Sequence, residues 1–255
     1  MLVLLPPSEG KTRPSGDRVL DLDALSFPTL DRTRQRLVKA LVTLSSGRPA
    51  RTMDVLGLGP TQADALTTNA ALLDEPAGRA DEVYTGVLFS HLDLASLPAD
   101  ARERADASLA VASGLFGLLR PSDPIPAYRL SGSVTLPRLG TVSGLWRDVL
   151  PAALDEAAGD GLLVDLRSGT YVNLGKPSKA LAPRTATMRV LHERPDGQRK
   201  VVSHFNKATK GRLVRALLLE DARPATVDEL AEALGDLGWT VERSGNRLDV
   251  VVTEV

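Results

Sequence analysis

Four stretches carry residue types and spacings that could do chemistry. The first is Ser8-Glu9-Gly10-Lys11-Thr12, which follows the apolar run 1–5 and the pair Pro6-Pro7. A lysine and a carboxylate delivered together at a strand end make a usable site element for an anionic ligand. The segment looks like the tail of a phosphate-binding loop, but Leu5 stands where the first glycine of that motif belongs. Pro14 and Gly16 also keep a helix from following Thr12, so a nucleoside-triphosphatase loop is not expected. The plain alternative is a solvated loop.

The second stretch, residues 113–130, crowds Arg120, Asp123, Tyr128 and Arg129 among Gly114, Gly117, Pro121, Pro124 and Pro126. Glycines and prolines fix a backbone, and two guanidinium forks on a rigid loop suit a phosphate or a carboxylate. An internal Arg-Asp pair that locks the loop is the competing reading. Taken with Lys11 and Lys179, the residues Arg120, Tyr128 and Arg129 would line one pocket for a nucleobase, a nucleotide or a similar anionic molecule. Ser8, Glu9, Thr12, Tyr84, Ser113, Asp123 and Lys176 are further candidates for it.

The third is Gly57-Leu58-Gly59-Pro60-Thr61-Gln62-Ala63, between two helical stretches. A Gly-apolar-Gly turn lets the backbone take positive φ and leaves the amides at the start of the next helix free for a DNA phosphate, as in a helix-hairpin-helix spanning about 48–74. Arg48 and Arg51 lie close by. The alternative is an ordinary helix-helix turn with Gly57 as a cap and Pro60 in the next first turn. The fourth is a basic concentration, Lys176, Lys179, His204, Lys207, Lys210, Arg212 and Arg215, in which the last four cations would face phosphates from one helix. A solvated helix face is the alternative there.

The elements that must position these groups belong to a mixed α/β chain. Residues 1–5 read as a buried strand, 29–44 as an amphipathic helix capped by Thr29 or Asp31, and 61–73 as a second helix. Residues 109–119 read as a buried strand, 145–157 as a helix and 162–166 as a buried strand with Asp165 at its middle. Pro195-Asp196-Gly197 joins 188–193 and 200–205 as a hairpin. Helices follow at 207–221 and 226–237, the latter opened by a Thr226/Glu229 capping box, and 241–252 closes as a hairpin at Ser244-Gly245-Asn246.

Composition bounds the rest. The 255 residues, 43% hydrophobic and 25% charged, suit one domain, 1–255, with one main core. There is no cysteine, which removes thiolate chemistry and Cys-ligated zinc and fits a reducing, cytoplasmic setting. A net charge of -1 confines any phosphate binding to local patches, and 4% aromatics leave little for single-strand stacking platforms. Residues 1–5 have no basic segment ahead of them and stop at prolines, so neither a signal peptide nor a membrane partner is expected. His91 and His192 have no partner at ligand spacing, and no metal or cofactor is assigned.

Together these stretches resemble the YaaA family of bacterial peroxide stress proteins over nearly the whole chain. The most specific match is the pattern Ser-Gly-Leu-aromatic-Gly-x-Leu-Arg-Pro-x-Asp at 113–123, followed by Tyr128-Arg129-Leu130. The Lys11-Thr12 loop, Val83-Tyr84-Thr85-Gly86, Leu145-Trp146-Arg147-Asp148 and residues 207–215 continue it in order. The resemblance implies a mixed α/β fold peculiar to the family and double-stranded DNA binding through a helix-hairpin-helix element, which favours that reading of Gly57, Leu58, Gly59 and Thr61. It also implies a part in limiting iron-driven oxidative damage.

Overall fold

A continuous apolar run has no polar face to give to water, and Leu2–Leu5 accordingly sits fully buried inside a sheet, parallel to a neighbour on each side. The computed structural model describes residues 1–253, with every side chain except those of Ser203 and His204. Among these residues the main sheet has eight strands. Seven run in the order Thr240–Ser244, Arg247–Val252, Thr185–Glu193, Leu163–Asp165, Leu2–Leu5, Leu109–Ser113, Gly117–Leu119, and Arg199–Lys200 pairs with Thr185–Glu193 at the side.

The chain order within that sheet shows where its winding reverses. After Leu2–Leu5 the next parallel strand, Leu109–Ser113, is laid on one side, and the following two, Leu163–Asp165 and Thr185–Glu193, on the other. The direction of winding therefore reverses between Leu2–Leu5 and Leu163–Asp165. Loops leaving the carboxyl ends of two such strands diverge and open a crevice, the usual ligand position in open parallel sheets.

Helices cover both the sheet and each other, and one continuous core runs through the molecule. The helix Ser203–Leu219 lies close on Val87–Leu92 because Gly211 has no side chain; a Cβ there would stand 2.4 Å from the Leu88 carbonyl oxygen. Buried Trp146 donates its indole N–H to the Gly114 carbonyl at 2.8 Å. Arg34 is buried as well, and its guanidinium donates to the carbonyls of Phe116, Leu118 and Ser26 and to Asp31. No helix among the described residues is long and apolar enough to cross a membrane.

Several expectations shift by a definable cause. The first long helix is Asp31–Ser45, and Leu30 precedes it without a side-chain cap, so neither Thr29 nor Asp31 serves as one. The stretch 109–119 is a tight antiparallel pair, Leu109–Ser113 with Gly117–Leu119, folded over at a positive-φ Gly117. The helix expected over 145–157 is two, Val142–Arg147 and Leu150–Ala158, because Pro151 can open a helix but not continue one. Pro195-Asp196-Gly197 does turn the chain, but its second arm pairs only at Arg199–Lys200 before the Ser203–Leu219 helix begins. Thr226 accepts from the Glu229 amide as expected, whereas the Glu229 carboxylate takes the Ala225 amide, one residue short of a reciprocal box.

The segment around Gly57 is two short helices, Pro49–Leu56 and Asp64–Ala70, with a 3-10 turn at Pro60–Gln62 between them. The left-handed residue is Gly57, at φ 64°, whereas Gly59 is extended at φ -81°. Valine at Gly59 therefore meets no backbone objection, and the positive-φ requirement expected there belongs to Gly57. The turn folds its amides back on the preceding helix: Gly57 N–H donates to Asp54 and Leu58 N–H to Met53, while Gly59 N–H donates to Gln62 Oε1. All three amides are occupied within the chain.

Candidate functional site

At the reversal point the loop 6–10 leaving Leu2–Leu5 and the segment 166–168 leaving Leu163–Asp165 border a cleft of about 770 Å³. Val87, Leu88 and Phe89 form one wall, Tyr171 and Met188 others, and Asn206, Lys207 and Lys210 project from the Ser203–Leu219 helix. Two groups are fixed by their neighbours. Arg167 spends its guanidinium on both carboxylate oxygens of Asp165, at 2.9 and 2.7 Å, and on the carbonyls of Tyr171 and Gly175. Tyr171 donates its hydroxyl to Glu9 Oε1 at 3.0 Å, and Arg129 approaches Glu9 Oε2 at 3.5 Å and donates to the Glu9 carbonyl. Burial and the facing Glu9 carboxylate both hold the Tyr171 phenol above its ordinary pKa.

Lys210 is buried and uses one donor, on the Leu166 carbonyl at 3.1 Å. Burial lowers its pKa to about 8, against the opposing pull of Asp165. Lys207 is exposed at the cleft rim and makes no hydrogen bond or ion pair among the described residues. The pKa shift of Lys210 gives an expected outcome. Between about 8 and 10.5 the unfolded chain holds a proton that the folded chain has released, so stability rises with pH across that window. Lys210→Met lacks this contribution, while Glu9, Asp165, Arg167, Arg189 and Lys207 are common to both proteins. The stability of wild type relative to the variant should climb from pH 8 to pH 10.5 in urea unfolding, and a pH-independent difference contradicts the burial of a titrating amine.

Beneath the loop 6–10 lies a second, closed cluster. Lys11 Nζ donates to the Ser8 carbonyl at 2.8 Å and sits 4.3 Å from the Tyr128 ring centre and 5.2 Å from that of Tyr84. The two phenol oxygens are 2.8 Å apart, and Tyr128 continues to Ser113 Oγ at 2.7 Å, which accepts the Phe116 amide. Burial lowers the Lys11 ammonium to about 8 and raises Tyr84 to about 12. The phenols stay protonated and the ammonium is held over ring faces.

The sequence-predicted residues thus divide. Ser8 and Glu9 border the cleft, Arg129 reaches Glu9, and Lys11, Tyr84, Ser113 and Tyr128 come together behind it. Thr12 is exposed and its amide donates to the Val83 carbonyl. Arg120 faces away: it donates to the carbonyls of Ala107 and Leu109 and covers the Phe27 ring. Asp123 does not pair with either guanidinium of its loop; it accepts the Arg120 amide and the Ser26 amide and hydroxyl. Lys176 and Lys179 are exposed and do not line the cleft. Among the described side chains of the long helix only Lys207 and Arg212 remain as exposed cations, because Lys210 turns inward and Arg215 donates to the carbonyls of Leu92 and Asp93 and to Ser96. The His204 side chain lies outside the described residues.

A second opening, about 810 Å³, lies where the helices Asp31–Ser45 and Pro49–Leu56 meet the turn 136–139. Arg36, Lys39, Arg48, Arg51 and Arg138 line it, all exposed, and no acidic residue does. None of the five forms a side-chain hydrogen bond or ion pair among the described residues. Arg36, Lys39 and Thr43 are three and seven residues apart on one helix face, and Gly57, Leu58, Gly59 and Thr61 follow directly on the helix that carries Arg51. The sequence held a signal for this groove: residues 31–53 contain six cations and a single acid, Asp31.

Residues 1–244 match the family model described as peroxide stress protein YaaA. The chain is similar to a UPF0246 protein of Streptomyces coelicolor, 49% identical over 262 residues with both chains covered in full. A UPF0246 protein of Corynebacterium glutamicum is 38% identical over 259 residues, again in full, and one of Shewanella woodyi is 33% identical over 253 residues, 90% of each chain.

Proposed function

The chain belongs to the family of the peroxide stress protein YaaA, and on that premise we propose that it acts in the peroxide stress response by binding the phosphates of duplex DNA and limiting iron-driven damage there. The observation that supports this most is the groove of Arg36, Lys39, Arg48, Arg51 and Arg138, with no acid among its lining residues. Five like charges gathered without partners among the described residues repel one another and favour a polyanion. A single small anion neutralises one or two of them, whereas a duplex presents about one charge per 1.7 Å along its axis. Net charge is -1, so the attraction is local and orients the groove toward the backbone. Phosphates that take up these cations release their condensed counterions, ferrous iron included, and the site of radical generation moves off the DNA.

In this reading side chains carry the contacts, since the Gly57, Leu58 and Gly59 amides are spent on the turn. Arg138 supports the reading. It follows Pro137 at the third position of a turn closed by Leu139 N–H on the Leu136 carbonyl, and its φ is 63°. That position favours glycine, and an L side chain there costs about 1 kcal/mol. Strain held at a cation beside four others favours reading this turn as part of a site.

Arg138→Gly should therefore raise stability by about 1 kcal/mol while weakening duplex binding about fivefold, as one phosphate goes without its guanidinium. Urea unfolding and a fluorescence-anisotropy titration check both halves. Arg212→Gln, an exposed cation outside the groove, should leave duplex affinity unchanged. Equal weakening by the two variants would remove the groove from the account.

A further inference from the structure

The cleft at the strand reversal is not needed for the groove to hold DNA, and its chemistry is different. We propose that it is a separate binding site for a small phosphate ester bearing hydroxyl groups, of the size of a nucleoside monophosphate or a sugar phosphate, with the phosphate on Lys207 and Lys210. Three observations carry this. The cleft lies outside the carboxyl ends of Leu2–Leu5 and Leu163–Asp165, where the winding reverses, and its volume of about 770 Å³ suits a molecule of that size.

The second observation is which cations there have donors to spare. Arg167 has its donors on Asp165 and two carbonyls, and Arg189 has its Nε edge on Asp249 at 2.9 and 2.7 Å, which leaves only its Nη1 side for a ligand. The other open donors belong to two lysines one helical turn apart, Lys207 with none used among the described residues and Lys210 with one used. Lysines act as point charges with rotatable donors, and a pair of them matches a phosphate dianion. At neutral pH most Lys210 side chains are charged, since the pKa is about 8. The acid at the mouth, Glu9, is already engaged by Tyr171 and Arg129.

The third is an orphan acceptor. Asn206 Oδ1 is buried and has no hydrogen-bond partner among the described residues, although it lines the cleft next to Lys207. A buried acceptor without a donor is costly, and a ligand hydroxyl supplies the donor. Phe89 and Met188 offer apolar surface to the uncharged part of the same molecule.

The test uses adenosine monophosphate and ribose 5-phosphate as probes, with inorganic phosphate and adenosine as arms that lack one half. Calorimetric titration of the full chain should show both esters binding more tightly than inorganic phosphate, and adenosine least. Lys207→Met, an exposed position that leaves folding intact, should weaken both esters by about tenfold, and Asn206→Leu should weaken them relative to inorganic phosphate. Lys210→Met serves as a second variant only where its melting curve is cooperative. Neither ester binding, or both binding with wild-type affinity to Lys207→Met, overturns the proposal. A short duplex that displaces the esters, together with weakened duplex binding in Lys207→Met, overturns it in favour of a cleft that belongs to the DNA footprint. Duplex binding that survives Lys207→Met, with ester binding abolished, separates this site from the groove.

Discussion

Arg167→Met should destabilise the protein by roughly 3 to 5 kcal/mol, the cost of breaking a buried ion pair by removing one partner. The two side chains are 0% and 4% exposed, so no water replaces the guanidinium around Asp165. The substitution also leaves the Tyr171 and Gly175 carbonyls without the donors they now have. For a chain of this length that corresponds to a fall in Tm on the order of 10 °C. The loop carrying Tyr171 would loosen with it, and Tyr171 is one of the two groups that engage Glu9 at the cleft mouth. A Tm within a degree or two of wild type would show that the pair is solvated and that Arg167 is available to a ligand after all.

Replacing Arg48, Arg51 and Arg138 together by Gln should lower duplex affinity roughly 100-fold, taking about 1 kcal/mol for each phosphate left without its guanidinium. The three side chains are exposed and unpaired among the described residues, and Gln at position 138 keeps the same backbone strain, so unfolding should be unaffected. The contrast with Arg167→Met is diagnostic. One arginine is buried and fully paired, and three are exposed and unpaired among the described residues. Unchanged affinity in the triple variant would make the groove an ordinary solvated face.

What is legible in the sequence follows from how local each cause is. The buried strand Leu2–Leu5, the turns at 195–197 and 244–246 and the Thr226 cap depend on neighbours a few residues away, and the sequence states them directly. The residue types of Lys11, Tyr84, Ser113 and Tyr128 suggest one pocket, and the four do come together, but as a closed cluster. Their types announce hydrogen bonding without saying whether a ligand or another side chain receives it. Arg120 and Arg34 show the limit most clearly: each donates to backbone carbonyls, supplied between them by a helix end, strands and turns, and no residue type in the sequence marks a carbonyl as needing a donor.

The long basic helix misleads for a related reason. Lys210 and Arg215 alternate with apolar residues in a way that fits a cationic face, yet packing against Val87–Leu92 through Gly211 turns both toward the protein. The groove is half visible in the sequence, in Arg48 and Arg51 beside the Gly57 turn. Arg138 joins it from far along the chain through the turn 136–139, which only the folded molecule brings near.

The salt dependence of duplex affinity tests the central claim most directly. Five phosphate contacts predict that log affinity falls against log salt with a slope of about -4.5, and the triple variant should retain a slope of about -2. A slope near zero for the wild type, or one left unchanged when Arg48, Arg51 and Arg138 are removed, would contradict the assignment of this groove to DNA.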